Sequence, residues 1–142
     1  MIKTPLTYQI INVNLNSMAG EYLKKILVVD DEQETLTHIS NILKRAGYEV
    51  ASAGQGKKAL ELARSFKPGL IVLDVVLPDM EGSEVAAVLS QDPSTDRIPI
   101  IFLTGIITKQ EESLVEKTGR HYIMAKPTTG RELLEMVSKI LL

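Results

Sequence analysis

The 142-residue sequence contains no cysteine, which excludes disulfide bonds, thiolate metal sites and thiol nucleophiles together. Only two histidines, His38 and His121, could act as imidazole ligands or bases. Because they lack the spacing of a metal site, we assign them surface or packing roles. No apolar run approaches the roughly 20 residues that a membrane-spanning helix needs, and the formal net charge of -2 gives no support for nucleic-acid binding. We therefore predict a cytoplasmic globular protein that binds neither membranes nor nucleic acids.

The N-terminal stretch does not share the regular pattern of the rest of the chain. Its apolar residues are interrupted by polar ones, which argues against a secretory signal peptide. Ile11, Val13 and Leu15 alternate with asparagine, so a short edge strand is an open alternative there. We predict that residues 1–22 are a leader outside the core fold and that residues 23–142 form one domain.

Beyond the leader, apolar strands alternate with amphipathic helices. Such alternation requires a parallel sheet with helices on both faces, joined by right-handed crossovers. Gly47 ends the first helix, and two capping boxes, Thr108 with Glu111 and Thr129 with Glu132, begin the last two helices. We predict an α/β fold, a doubly wound (βα)5 unit with a five-stranded parallel sheet. The predicted strands lie near 26–29, 48–53, 70–73, 99–103 and 121–125, and the helices near 36–46, 59–66, 85–89, 108–118 and 133–141.

The carboxyl ends of four predicted strands carry side chains that can do chemistry. Asp30 and Asp31 follow the first strand, and Asp74 follows the third, a run of four large aliphatic residues. Thr104 comes at the end of the fourth strand and Lys126 after the fifth. Parallel strands bring these groups to one edge of the sheet, where open α/β sheets bind ligands. Each residue alone could be a helix cap or a solvated charge, but together and in this order they indicate a site.

The charges of this cluster predict a metal. Two carboxylates about 4 Å apart repel by about 4 kcal/mol at an effective dielectric constant near 20. Lys126 alone cannot neutralise three of them, whereas a divalent cation can. Because the ligands are oxygen atoms and no cysteine is present, the sequence favours Mg²⁺.

Four motifs in this region resemble the receiver domain of two-component response regulators. VVDDE, LDVVLPDMEG, FLTG and AKP occur in the family's order and at its spacing, and the resemblance covers the chain from about residue 24 to its end. It implies the flavodoxin-like strand order 2-1-3-4-5.

The resemblance implies a role for each residue at the strand ends. Asp74 would accept a phosphoryl group, while Asp31 and Asp74 would ligate Mg²⁺ together with the backbone carbonyl of Val76. Asp30 would act mainly through water. The remaining two residues, Thr104 and Lys126, would bind the phosphoryl oxygens, and the peptide bond before Pro127 would be cis.

The resemblance also implies partners. The phosphoryl donor would be the phosphohistidine of a histidine kinase or a histidine phosphotransfer protein in a phosphorelay. The output would be contact with a downstream protein or with an output domain outside this sequence, and a phosphorylation-dependent homodimer is a further expectation. Such a domain is a signalling switch rather than a turnover enzyme. The alternative is a non-phosphorylated pseudo-receiver that serves only as a docking module.

Three positions depart from the family pattern. Ile123 occupies the slot that usually holds the switching aromatic residue, and Tyr122, one position earlier in a strand, should face the other side of the sheet. We therefore predict that signalling relies on Thr104 and the helix near 109–118 instead. Val76 replaces a residue that is often polar and should alter water access to the phosphoryl group. The third departure, Thr128 where phenylalanine is frequent, has no explanation in the sequence.

Overall fold

The computed structural model describes residues 24–105 and 120–141. In these ranges the chain forms a five-stranded parallel sheet in the order β2-β1-β3-β4-β5. The predicted α/β fold and strand order are confirmed. The strands are β1 (Lys25–Val29), β2 (Glu49–Ala53), β3 (Leu70–Leu73), β4 (Ile100–Thr104) and β5 (His121–Ala125), and the described helices are α1 (Gln33–Arg45), α2 (Gly56–Ser65), α3 (Gly82–Gln91) and α4 (Gly130–Leu141).

Two of the predicted elements lie outside the described residues. These are the helix near 108–118, with its capping box at Thr108, and the leader over residues 1–22. The division into leader and domain stays a prediction. Within residues 24–105 and 120–141, none of the helices combines the length and the hydrophobicity of a transmembrane segment.

The sheet separates two apolar cores because successive residues of a strand point to opposite faces. On one face, Leu73 and Phe102 pack with the buried residues of α2 and α3. On the other, Val72 and Leu103 pack with α1 and α4, whose most buried residues include Leu133. All residues of the central strand β3 are buried, as its unbroken aliphatic sequence predicts. Burying each Leu, Ile or Phe side chain contributes about 1.5–3 kcal/mol to folding.

Two helix boundaries lie where the predicted glycine stop and threonine cap place them. Gly47 follows α1 with a φ of +99°, a conformation that residues with a Cβ rarely adopt. At the start of α4, the hydroxyl of Thr129 accepts a hydrogen bond from the backbone N–H of Glu132 at 3.1 Å, which confirms Thr129 as the cap. The Glu132 carboxylate accepts a bond from the Thr128 hydroxyl at 3.4 Å.

The two histidines take the predicted surface and packing roles. His38 is exposed on α1. His121 is 5% exposed at the start of β5, and its ring meets the edge of Phe102 with the centroids 5.9 Å apart. Burial, together with the positive charge of Arg120, lowers the pKa of His121 to about 4. This imidazole is therefore neutral at pH 7.

Candidate functional site

The pairing of β1 with β3 places two aspartates side by side. Val29 and Leu73 are in register at the ends of these strands. The backbone N–H of Asp74 donates to the carbonyl of Val29 at 2.9 Å, and that of Asp30 donates to the carbonyl of Ala53 at 3.1 Å. The backbone is therefore held in ladder-like hydrogen bonds up to the two carboxylates. Their position is fixed by the sheet and not by a loose loop.

An acidic cluster forms at this edge, as predicted. Asp30, Asp31 and Asp74 each offer a carboxylate oxygen, and these atoms lie within 4.8 Å of one another. Asp30 is buried, Asp74 is half-buried and Asp31 is exposed. Oxygen donors at this separation suit a hard divalent cation, and carboxylate ligands of this kind are the ones that Mg²⁺ uses. The donor set therefore fits the predicted metal.

Lys126 reaches into the cluster from the end of β5. Its ammonium lies 2.5 Å from Oδ2 of Asp30 and 3.3 Å from Oδ2 of Asp74. Burial by itself would lower the pKa of Lys126, but the hydrogen bond and charge of Asp30, followed by the charge of Asp74, raise it. The lysine therefore stays positively charged, and in this structure its contact with Asp30 is shorter than its contact with Asp74. The peptide bond before Pro127 is cis, as predicted.

The carboxylates of Asp30 and Asp74 differ in how strongly the protein itself binds their oxygens. Oδ1 of Asp30 accepts the N–H of Glu32 at 2.9 Å and Oδ2 accepts from Lys126, so each of its oxygens is engaged by the protein. Asp74 has weaker contacts, with the N–H of Val76 and with Lys126 both at 3.3 Å. Burial raises the pKa of Asp74 above its usual range, with a smaller contribution from the charge of Asp30, while Lys126 opposes the shift. Asp74 therefore carries a charge that the protein alone satisfies incompletely.

Thr104 reaches the same edge at the end of β4. It is 2% exposed, and it pairs with Ala125 in the β4–β5 register. Its carbonyl accepts the backbone N–H of Lys126 at 2.9 Å, so the backbones of the two residues are joined directly. All five residues predicted from the strand ends are thus present at the carboxyl edge of the sheet. The roles assigned to them stay predictions.

The segment after Asp74 turns back on itself at once. Val76 and Glu81 form an isolated antiparallel bridge, and the N–H of Gly82 donates to the carbonyl of Val75 at 2.7 Å. A Cβ on Gly82 would lie 2.9 Å from the carbonyl oxygen of Asp74, so no other residue fits here without a backbone shift. The side chain of Val76 is 60% exposed, which places an aliphatic group at the surface beside the acidic cluster.

One residue of this segment was missed by the sequence reasoning. The carboxylate of Asp79 accepts the N–H groups of Gly56 and Lys57 at the start of α2, at 2.7 and 2.9 Å. A signal was available, because Gln55 precedes α2 where a Ser, Thr, Asp or Asn is the usual cap. A helix start without a local cap leaves backbone N–H groups open to water or to a side chain from elsewhere in the fold.

The strand β5 shows where the family pattern changes. Ile123 packs with the core of α2 and α3, whereas Tyr122 packs with the core of α1 and α4. The prediction that these neighbours face opposite sides of the sheet is confirmed. The predicted switching role of the helix near 109–118 concerns residues outside the described ranges and stays a prediction. Thr128 stands where the family often has phenylalanine. Its hydroxyl donates a hydrogen bond to the sulfur of Met124 at 3.3 Å, so this polar group has a partner within the protein.

Comparison with known proteins identifies the family. The model of the response regulator receiver domain matches residues 26–138, which include the acidic cluster and Lys126. The chain belongs to this family. The resemblance seen in the four motifs is confirmed, and the chain is a receiver domain of two-component systems. Receiver domains interact with histidine kinases and with downstream targets.

Two curated relatives of this receiver domain differ in how much of their length it covers. It is 42% identical over 118 residues to the alkaline phosphatase synthesis transcriptional regulatory protein PhoP of Bacillus subtilis, covering 83% of this chain and 48% of that protein. The chain therefore spans about half the length of PhoP. It is 29% identical over 118 residues to the polar-differentiation response regulator DivK of Brucella anthropi, covering 83% of this chain and 96% of that protein.

Solved structures support the same fold. The chemotaxis protein CheY4 of Vibrio cholerae superposes with a TM-score of 0.75 at 28% identity, covering 82% of this chain and 97% of that one. A CheY-like receiver domain protein of Methanospirillum hungatei gives a TM-score of 0.77 at 30% identity, covering 83% and 93%.

Proposed function

We propose that this receiver domain accepts a phosphoryl group on Asp74 from a phosphohistidine of a histidine kinase or a histidine phosphotransfer protein. The proposal depends mainly on one observation: three carboxylates and the ammonium of Lys126 lie together at the carboxyl end of the sheet. Asp74 has longer contacts with the protein than Asp30 has, and unlike the exposed Asp31 it is half-buried beside Lys126. It is therefore the carboxylate best placed to act as a nucleophile.

In the proposed transfer, a carboxylate oxygen of Asp74 attacks the phosphorus atom of the phosphohistidine. The phosphorus–nitrogen bond breaks, the imidazole nitrogen leaves and takes up a proton, and an acyl phosphate forms on Asp74. Little covalent assistance is needed, because such transfers depend mainly on positioning and on stabilising charge on the phosphoryl oxygens. Lys126 supplies an ammonium for those oxygens, and Thr104 supplies a hydroxyl from the adjacent strand end.

The proposed metal ligands combine members of this cluster with the backbone carbonyl that the family resemblance implies. Asp31, Asp74 and the backbone carbonyl of Val76 would hold Mg²⁺, which when bound would neutralise the carboxylates and the phosphoryl oxygens. Asp30 would act through water, a role supported by the hydrogen bonds that already engage both of its oxygens. The exposed side chain of Val76 would limit water access to the acyl phosphate.

A groove beside Lys126 supports the approach of a partner. It has a volume of about 400 Å³ and lies between α1 and the turn that leads into α4, with Lys126, Pro127 and Thr128 on one side. We propose that the domain acts in the cytoplasm as a switch and not as a turnover enzyme. Its output would be a phosphorylation-dependent contact, either with a downstream protein, with an output domain or with a second copy of the domain.

The test is phosphorylation by a small donor. The purified protein is incubated with acetyl phosphate and Mg²⁺, and its intact mass is measured. We expect one phosphoryl adduct on the wild type and on Asp92→Asn, a distant carboxylate variant, and none on Asp74→Asn. A wild-type protein that gains no adduct would favour the pseudo-receiver alternative, and an adduct that persists in Asp74→Asn would place the acceptor elsewhere.

A further inference from the structure

The segment that follows Asp74 is attached to α2 by one side chain. Asp79 accepts two hydrogen bonds from that helix, Oδ1 from the N–H of Gly56 at 2.7 Å and Oδ2 from the N–H of Lys57 at 2.9 Å. The bonds from Lys57 and Gly56 lower the pKa of Asp79 below its usual range, so the carboxylate remains charged at neutral pH. These contacts join residues 22 and 23 positions apart in the sequence.

The helix α2 depends on this contact from outside. Gln55 occupies its N-cap position and makes no side-chain capping bond. The first N–H groups of a helix have no partner within the helix, so Asp79 supplies what the local sequence lacks. Met80 lies directly over Gly56, where a Cβ would come within 2.2 Å of the Met80 side chain. The segment and the start of α2 therefore fit together closely at two neighbouring residues.

The other end of the segment is fixed to the site. Gly82 lies against Val75 and the carbonyl of Asp74, and Val76 bridges to Glu81. The segment from Val75 to Gly82 is consequently closed at its base beside Asp74, and its tip is held by α2. Because both ends of the segment are hydrogen-bonded, a movement of Asp79 away from α2 would also displace the residues next to Asp74.

We propose that Asp79 is a positioning residue for the metal site: by holding the tip of the segment on α2, it keeps the Val76 carbonyl and the Asp74 carboxylate in the arrangement that binds Mg²⁺. This inference rests on the proposed function, because Val76 and Asp74 are ligands only in that proposal. Residues that orient metal ligands from behind typically change metal affinity 10- to 100-fold when replaced. Coupling is also reciprocal, so Mg²⁺ at the site must in turn strengthen the contact of Asp79 with α2.

The experiment measures Mg²⁺ binding by calorimetry for the wild type, Asp79→Ala and Asp79→Asn. We expect Asp79→Ala to raise the Mg²⁺ dissociation constant by about tenfold. Asp79→Asn should show a smaller increase, because its single carbonyl oxygen can keep one of the two hydrogen bonds. The matched control is Asp92→Ala, which removes a carboxylate that likewise accepts backbone and side-chain bonds, from Ser94 and Arg64, but at the far end of α3. It should bind Mg²⁺ like the wild type.

Amide hydrogen exchange gives a second readout that does not involve phosphorylation. In the wild type, Mg²⁺ should slow exchange at the N–H groups of Gly56 and Lys57, and in Asp79→Ala it should have no such effect. An unchanged dissociation constant in Asp79→Ala would overturn the inference, as would an equal loss in Asp92→Ala. Should Asp79→Ala not fold, an unchanged constant in Asp79→Asn would overturn it.

The wild type separates this inference from the proposed function. A wild-type protein that binds no Mg²⁺ refutes the metal part of the proposed function, and the inference is lost with it. If the wild type and Asp79→Ala both bind Mg²⁺ with the same dissociation constant, the proposed function stands and only the inference is refuted.

Discussion

Protonation of His121 should destabilise this domain as the pH falls from about 6.5 toward about 4, and replacing this histidine should remove the effect. The imidazole is 5% exposed and packs edge-on against Phe102, and its Nδ1 atom has no hydrogen-bond partner in the described part of the chain. Burial and the charge of Arg120 lower its pKa from 6.5 to about 4. In the unfolded chain the imidazole regains its ordinary pKa, so between these values the unfolded state binds more protons than the folded state.

The sign and size of the effect follow directly. The stabilisation is fully present above about pH 6.5 and is lost as the pH falls toward about 4, because protonation then favours the unfolded chain. One pKa unit corresponds to about 1.4 kcal/mol, so the shift from 6.5 to about 4 amounts to about 3 kcal/mol of unfolding free energy at most. That is a large fraction of the stability of a domain of this size.

The assay is urea unfolding followed by circular dichroism at pH values from about 7 down to about 4.5. Carboxylates also titrate in acid, so the informative quantity is the difference between the wild type and His121→Leu. We expect the free energy of unfolding of the wild type to fall more steeply with decreasing pH than that of His121→Leu, by up to about 1.4 kcal/mol per pH unit. His38→Gln, a change at an exposed histidine, should keep the wild-type slope. Equal slopes for the wild type and His121→Leu, or an imidazole that titrates near pH 6.5 in the folded protein, would refute the reasoning.

Three further predictions concern the acidic edge of the sheet. Lys126→Met leaves the buried carboxylate of Asp30 without its cation, so metal-free urea titrations should show a loss of about 3 kcal/mol; a loss below about 1 kcal/mol would show that the ion pair does not stabilise the fold. Asp74→Asn should raise the Tm of the metal-free protein by a few degrees in calorimetry, because burial and Asp30 disfavour the charge that it removes. A lower Tm would contradict this. Gly82→Ala should cost about 2 kcal/mol and weaken Mg²⁺ binding, since its Cβ would lie 2.9 Å from the Asp74 carbonyl. Gly54→Ala, whose Cβ would meet its nearest atom at 3.8 Å, is the control, and equal effects of the two changes would exclude a steric cause.

The sequence predicted the site well because each of its residues lies next to a strand. A continuous aliphatic run such as that of β3 determines where the strand ends, and a parallel sheet then determines that Asp74, Thr104 and Lys126 share an edge. The side on which Tyr122 and Ile123 pack was predictable for a similar reason, since alternation in a strand needs only local information.

The sequence could not predict contacts that depend on the distance between elements. The bonds from Gly56 and Lys57 to Asp79 require α2 and the segment after β3 to be docked already. The ammonium of Lys126 lies 2.5 Å from Asp30 and 3.3 Å from Asp74. A difference of less than 1 Å between two distances cannot be predicted from the positions of the strand ends in the sequence. The missing cap at Gln55 was a local sign that the start of α2 is open to a distant partner, but it does not say which residue that partner is.

With Lys126 and a divalent cation present, the charges of the acidic cluster would sum to about zero, and phosphorylation would change that sum. Three carboxylates and one ammonium leave two negative charges, which one divalent cation would cancel. Converting the Asp74 carboxylate, with one negative charge, into an acyl phosphate with about two would leave an excess of about one. An excess charge at a half-buried site is costly unless it is paired or hydrogen-bonded, so donors near the site would be drawn toward the new oxygens. In a domain that lacks an aromatic residue at position 123, this movement of donors toward the phosphoryl oxygens would then be what changes the surface of the domain.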